Sequence, residues 1–222
     1  MNYCAYKIIQ KNRNMKKKFE ITVPDGSTKV LLHACCAPCS SAIVECMMQH
    51  GITPTIYYCN PNIYPESEYL IRRDECQRYA KKLGLEMVEA EYDHEDWLCH
   101  VKGLEAEPER GGRCLKCFRM RLKKTAEYAH KHGYSVITTT LASSRWKSLE
   151  QINEAGTAAV EAYDDVIWWD QNWRKGGLSE RRACLIKEWN FYNQRYCGCE
   201  FSMSAGHMPK EEQETPESEV RN

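Results

Sequence analysis

Five short β-rich runs are separated by longer stretches of helical character, and this alternation limits what the chain can fold into more than any other feature. The runs are Lys29–His33, Thr53–Cys59, Glu86–Tyr92, Ser135–Leu141 and Val166–Trp169. Between them, Ser40–His50 is amphipathic and stops at Gly51. Pro65–Leu83 opens with Pro-Glu-Ser-Glu and stops at Gly84, and Leu115–His132 stops at Gly133. A glycine after the last turn suits the left-handed residue that closes a helix. Strands joined through helices of this length call for right-handed crossovers, so the expected fold is α/β, a mainly parallel sheet flanked by helices.

The 222 residues suffice for one substantial core with tails. The expected division is an N-terminal extension over 1–27, a single α/β domain over 28–203 and a disordered tail over 204–222, where Pro, Glu, Ser and Gln replace apolar residues. Gly103–Arg113 has no apolar period and reads as a mobile loop that delivers Cys114. Lys16-Lys17-Lys18 is not followed by an apolar stretch that would make a secretory signal or a membrane span, so a cytoplasmic protein with no membrane partner is expected. The charges balance, 31 basic against 31 acidic, and a polyanion would have to meet a local basic patch.

Within that frame the cysteines are clustered. Seven of the 13 fall in three groups: Cys35, Cys36 and Cys39 after the first strand, Cys114-x-x-Cys117, and Cys197-Gly-Cys199. An odd number of cysteines in a reducing compartment favours metal binding or redox catalysis over a disulfide scaffold. Cys35 and Cys36 stand at the carboxyl end of a strand, where open parallel sheets bind ligands. Pro38 marks the start of the next helix, whose N-terminus favours thiolate. Cys114 and Cys117 share one face of a starting helix. Alone they could be a redox pair, half of a zinc site or half of a cluster site. With Cys35 and Cys36 they make a four-thiolate set that suits either zinc or iron–sulfur. Cys197 and Cys199 are too close for a comfortable chelate but can close a strained, labile disulfide, and they read as a redox dithiol. Cys4, Cys46, Cys59, Cys76, Cys99 and Cys184 lie singly and are assigned to packing.

Five motifs, in order, resemble the QueH family of epoxyqueuosine reductases. They are His33-x-Cys-Cys-Ala-Pro-Cys39; Asn60-Pro-Asn-Ile-Tyr-Pro65 with Glu68-Tyr69; Arg113-Cys-x-x-Cys-Phe-x-x-Arg-Leu122; Thr138-Thr-Thr-Leu141 with Ser144-x-x-Lys147; and Arg195-Tyr-Cys-Gly-Cys-x-Phe-Ser202. The resemblance implies an adenine nucleotide alpha hydrolase-like fold and the removal of the epoxide oxygen from epoxyqueuosine in tRNA, giving queuosine at the wobble position. It further implies a 4Fe-4S cluster on Cys35, Cys36, Cys114 and Cys117, a redox-active disulfide between Cys197 and Cys199, and an additional iron for which Cys39 is a natural ligand. Relatives of that fold that use ATP carry a glycine-rich phosphate loop after the first strand. Cysteines stand there in this chain, so ATP is not expected.

Deoxygenation of an epoxide requires two electrons, two protons and the departure of water, hence an electron donor from outside the chain and an acid. Asp170, after the last strand, is the carboxylate singled out, beside Glu68, Tyr69 and His33. For the tRNA partner, Arg145-Trp146-Lys147 and Trp173-Arg174-Lys175 mix cations with aromatic rings, a composition suited to stacked bases and phosphates. Lys147, Trp173 and Arg174 are taken from them as substrate-binding residues. Two alternatives compete: an ATP-dependent iron–sulfur tRNA thiolase, and a non-enzymatic module in which zinc staples the loops to the core.

Overall fold

The structure is a computed structural model that describes residues 19–203, so the tail expected over 204–222 and the first part of the N-terminal extension lie outside the described residues. Five parallel strands form one sheet: β1 (Lys29–His33), β2 (Thr53–Tyr58), β3 (Met87–Glu89), β4 (Val136–Thr139) and β5 (Ile167–Trp168), in the order β3-β2-β1-β4-β5. Val30, Leu31 and Leu32 in the central strand are fully buried, as an apolar run covered on both faces requires.

Among the described residues six helices flank the sheet: α1 (Ala37–Gln49), α2 (Glu66–Leu83), α3 (His94–Val101), α4 (Gly112–His132), α5 (Leu149–Val160) and α6 (Leu178–Glu188). Helix α1 packs against α2 and α6, whereas α4 packs against α3 and α5. Gly84 and Gly133 close α2 and α4 with φ of 71° and 73°, a region in which any side chain would be strained. Among the described residues no helix is long and apolar enough to cross a membrane.

Several boundaries differ from the sequence expectation because capping groups fix them, and caps leave no apolar period. Helix α1 starts at Ala37, with Cys36 as its N-cap. Helix α4 starts at Gly112, whose N–H donates to the Glu107 carboxylate. Strand β4 yields to a 3-10 turn over Thr140–Ser143, and β3 and β5 shrink to three and two residues. Helices α3, α5 and α6 occupy stretches for which no element was expected. Their sequences carry caps all the same: the Asp93 side chain accepts from Asp96 N–H, and Ser148 Oγ accepts from Gln151 N–H.

The segment read as a mobile loop is tied down by side chains. Arg113 donates to the carbonyls of Leu104, Glu105 and Glu107, and Arg110 donates to those of Arg145 and Trp146. Within the extension expected over 1–27, Ile21 and Val23 belong to the main core, and Asp25 accepts a 2.6 Å bond from Ser135 Oγ.

Candidate active site

The strand order reverses direction at β1: the chain crosses to β2 and β3 on one side and to β4 and β5 on the other. The carboxyl ends of β1 and β4 therefore diverge into a crevice, the place where doubly wound sheets bind ligands. Cys35 and Cys36 leave β1 there. Thr140, leaving β4, holds Cys35 from both sides: its hydroxyl accepts from Cys35 N–H at 3.1 Å and donates to Cys35 Sγ at 3.4 Å.

Cys36 Sγ caps α1 by accepting from Cys39 N–H at 3.4 Å, and it accepts from Gln194 Nε2 at 2.9 Å. The sulfurs of Cys35, Cys36 and Cys39 lie within 4.8 Å of one another, a spacing that can hold a metal ion. Three thiols this close, one buried and two half-buried, cannot all ionise without a cation. Contact with Cys36 and Cys39 draws the Cys35 thiol down, burial pushes the Cys36 thiol up, and Cys39, facing Cys35, is pushed up to about 12.

Cys114 and Cys117 occupy the first turns of α4, where Cys114 Sγ accepts from Arg110 N–H at 3.3 Å. Cys197 and Cys199 arrive on the C-terminal segment. Cys197 is exposed, whereas Cys199 is buried beside Trp97, Val101, Cys117 and Met120, and burial pushes its thiol up to about 12. A cavity of about 370 Å³ is lined by Cys35, Cys39, Cys114, Cys117, Cys197 and Cys199, while the buried Cys36 is not among its lining residues. All three sequence clusters thus meet at one place.

The charge of that cavity was not legible from composition. Arg72, Arg110, Arg113, Arg121, Lys147, Arg182 and Arg195 line it, and among the described residues Glu109 is the one carboxylate lining it. Arg121 is 2% exposed and donates to Cys59 O at 3.1 Å, to Asn60 Oδ1 and to Cys117 Sγ at 3.9 Å. No carboxylate pairs with it among the described residues. A buried guanidinium without a counter-charge costs several kcal/mol, so the sulfurs or a bound anion must supply one. Burial opposes ionisation of Arg121, but Cys117 and Cys35 hold its pKa above the ordinary value. Lys147 Nζ stands 3.3 Å from Cys197 Sγ; burial works against its charge, and Cys197, Cys35 and Cys39 outweigh burial and raise its pKa.

Other expected residues stand elsewhere. Trp173 is 1% exposed, packs edge-on against Trp169 and donates to Thr138 Oγ1, so it is a core residue with no face open to a ligand. Arg174 donates to the carbonyl of Lys147 at 2.8 Å and braces that residue from behind. Asp170 is exposed and does not line the cavity. His33 is buried between Thr139 Oγ1 and Cys59 O, and burial together with Arg121 pushes its pKa down to about 3, which keeps the ring neutral and disfavours it as an acid. Glu68 is paired with Arg72, and Tyr69 donates to Glu89.

A family model described as "Epoxyqueuosine reductase QueH" matches residues 30–205. Curated proteins named epoxyqueuosine reductase QueH are similar over most of the chain. The one from Haemophilus influenzae is 52% identical over 198 residues, which is 89% of this chain and 80% of that protein. The one from Histophilus somni is 50% identical over 184 residues, 83% of this chain and 76% of that protein. The one from Acinetobacter baylyi is 44% identical over 188 residues, 85% and 86% of the two chains.

Proposed function

Because the chain belongs to the epoxyqueuosine reductase QueH family, we infer that it converts epoxyqueuosine in tRNA to queuosine, and that it does so in the cysteine-lined cavity. One observation carries the location: in a chain of zero net charge, seven cations and six cysteines converge on one cavity with a single carboxylate among the described residues. Such a cavity favours an anionic metal–thiolate group inside and a polyanion at its mouth.

The donor set fits a 4Fe-4S cluster. Cys35, Cys36, Cys114 and Cys117 would hold it, with Cys39 available to an additional iron. Arg121, buried and donating to neutral acceptors with no carboxylate beside it among the described residues, supplies positive charge that an anionic group would balance. When bound, such a group supplies storage of single electrons and Lewis acidity.

The chain's own residues account for the rest of the balance. Two thiols, Cys197 and Cys199, can give up two electrons and two protons as their S–S bond forms. The epoxide takes these up, both of its C–O bonds break, an alkene results and the oxygen leaves as water. Lys147 keeps a proton at Nζ next to Cys197 Sγ and places positive charge where negative charge develops on the departing oxygen. The mouth, with exposed Arg110 and Arg195, receives the RNA backbone. An electron donor from outside the chain returns the disulfide to dithiol, and the reaction uses no ATP. The strand order is compatible with an adenine nucleotide alpha hydrolase-like fold, and residues 28–203 act as one catalytic domain in the cytoplasm.

The test is an anaerobic assay: protein reconstituted with iron and sulfide, a low-potential reductant, and epoxyqueuosine-containing tRNA, with digested nucleosides weighed by mass spectrometry. Loss of one oxygen without ATP is the expected result. Intact epoxyqueuosine from iron-loaded protein would reject the reading. The thiolase and zinc-module alternatives are not favoured, since the relatives carry the reductase name over most of their length.

A further inference from the structure

Of the six tryptophans in the chain, Trp146 stands apart. Trp97, Trp169 and Trp173 are 3% exposed or less, and Trp168 and Trp189 pack against the core, whereas Trp146 is 77% exposed. An exposed indole offers a flat apolar face with a polar N–H at its edge, a form suited to contact with a partner. It also lines the cysteine cavity, at the mouth, beside the exposed Arg110.

Its backbone is fixed. Arg110 reaches over from the loop before α4 and donates to Arg145 O at 2.7 Å and to Trp146 O at 3.1 Å, while Ser144 Oγ accepts from Trp146 N–H at 3.3 Å. Gln151 Nε2 in turn donates to Arg110 O at 2.8 Å, which anchors the arginine. The chain therefore holds an aromatic ring in solvent on a braced turn instead of folding it inward. This arrangement lowers the ordering cost of binding a flat partner.

Resting on the reading above, we propose that Trp146 is a stacking platform for the nucleobase adjacent to the modified wobble nucleotide in the anticodon loop. A cavity that draws the wobble base inward must unstack it from its neighbour, and an aromatic face at the rim replaces the contact that is lost. Every base has a flat face, so the platform tolerates different neighbours. Arg110 and the exposed Arg145 bring positive charge to the adjoining phosphates.

The test uses the iron-loaded full chain and an anticodon stem-loop RNA bearing epoxyqueuosine, with binding read by anisotropy. Trp146→Ala should weaken binding by about tenfold, and Trp146→Phe should retain most of it. Two further RNAs carry an abasic residue on either side of the wobble position. One of them should bind the wild type as weakly as the intact RNA binds Trp146→Ala, and should lose nothing more with that variant. Equal binding by wild type and Trp146→Ala would overturn the platform, as would equal losses for both abasic RNAs on the two proteins. A change of oligomeric state in Trp146→Ala without RNA would assign the ring to a second copy of the chain instead. Failure of the wild type to convert epoxyqueuosine, with binding still dependent on Trp146, would reject the reductase reading and leave the platform standing.

Discussion

Arg72, on the second helix, donates from Nη1 to the carbonyl oxygen of Cys197 at 3.1 Å, spanning 125 positions of sequence. The same guanidinium donates to Tyr196 O at 3.3 Å and to Glu68 at 2.7 Å, and Glu68 also accepts from Tyr192. One buried ion pair thus fastens the segment that carries the dithiol. Arg72→Met leaves Glu68 buried without its cation and should destabilise the fold by about 3 kcal/mol or more. The Arg72→Met/Glu68→Gln double variant removes the stranded charge and should recover part of that loss. Chemical denaturation of the three proteins checks this, and an unaltered midpoint in Arg72→Met would refute the fastening.

Gly198 separates the two thiols with φ of 116°, and a Cβ there would stand 2.9 Å from Ile63 Cγ1 and 3.0 Å from Arg72 Nη1. Both the backbone and the space exclude a side chain. Gly198→Ala should cost about 1–3 kcal/mol of stability and slow formation of the Cys197–Cys199 disulfide. Oxidation by a small disulfide reagent, which accepts the two electrons and is itself reduced to thiols, followed by mass spectrometry, reads the rate. A wild-type rate would show that the turn does not depend on glycine.

The parallel sheet was legible because buried strands and helix stops leave local marks: Val30-Leu31-Leu32, Gly84 and Gly133 sit where the pattern put them. The three cysteine groups were legible for the same reason. Direction was not. Trp173 next to Arg174 reads as a binding pair, yet the indole turns into the core and the guanidinium braces Lys147 O. Nor was long-range pairing: Arg121 donates to Cys59 O and Asn60, about sixty positions away, and no spacing rule announces such a contact. The arginines of the fourth helix are close in sequence but part in space: Arg113 and Arg121 turn inward and Arg119 pairs with Glu154.

Arg121 offers a test of the charge balance. Its guanidinium has no carboxylate among the described residues and lies 3.9 Å from Cys117 Sγ. Positive charge and N–H donors near a cluster stabilise its reduced form. With the proposed cluster in place, Arg121→Gln should lower the midpoint potential and reduce the iron and sulfide retained after reconstitution, while Arg121→Lys should fall between the two. Redox titration followed by absorbance measures it. Equal potentials in wild type and Arg121→Gln would mean that no anionic group sits beside this residue.

The two thiols of the Cys-Gly-Cys segment differ in environment, and the difference sets which one meets reagents from outside. Cys197 is exposed, while the buried Cys199 thiol is pushed up to about 12. At pH 8 that leaves about one part in ten thousand of Cys199 as thiolate, the form that reacts. Brief alkylation of the reduced, metal-free protein should therefore mark Cys197 well ahead of Cys199, and peptide mapping separates both from the exposed Cys99 and Cys184. Because the thiolate fraction of Cys199 grows about tenfold per pH unit below its pKa, its labelling should rise about a hundredfold between pH 7.5 and 9.5. Equal labelling of the two at pH 8, or a flat profile for Cys199, would show that Cys199 is not shielded, and that an external reductant has no reason to attack at Cys197 first.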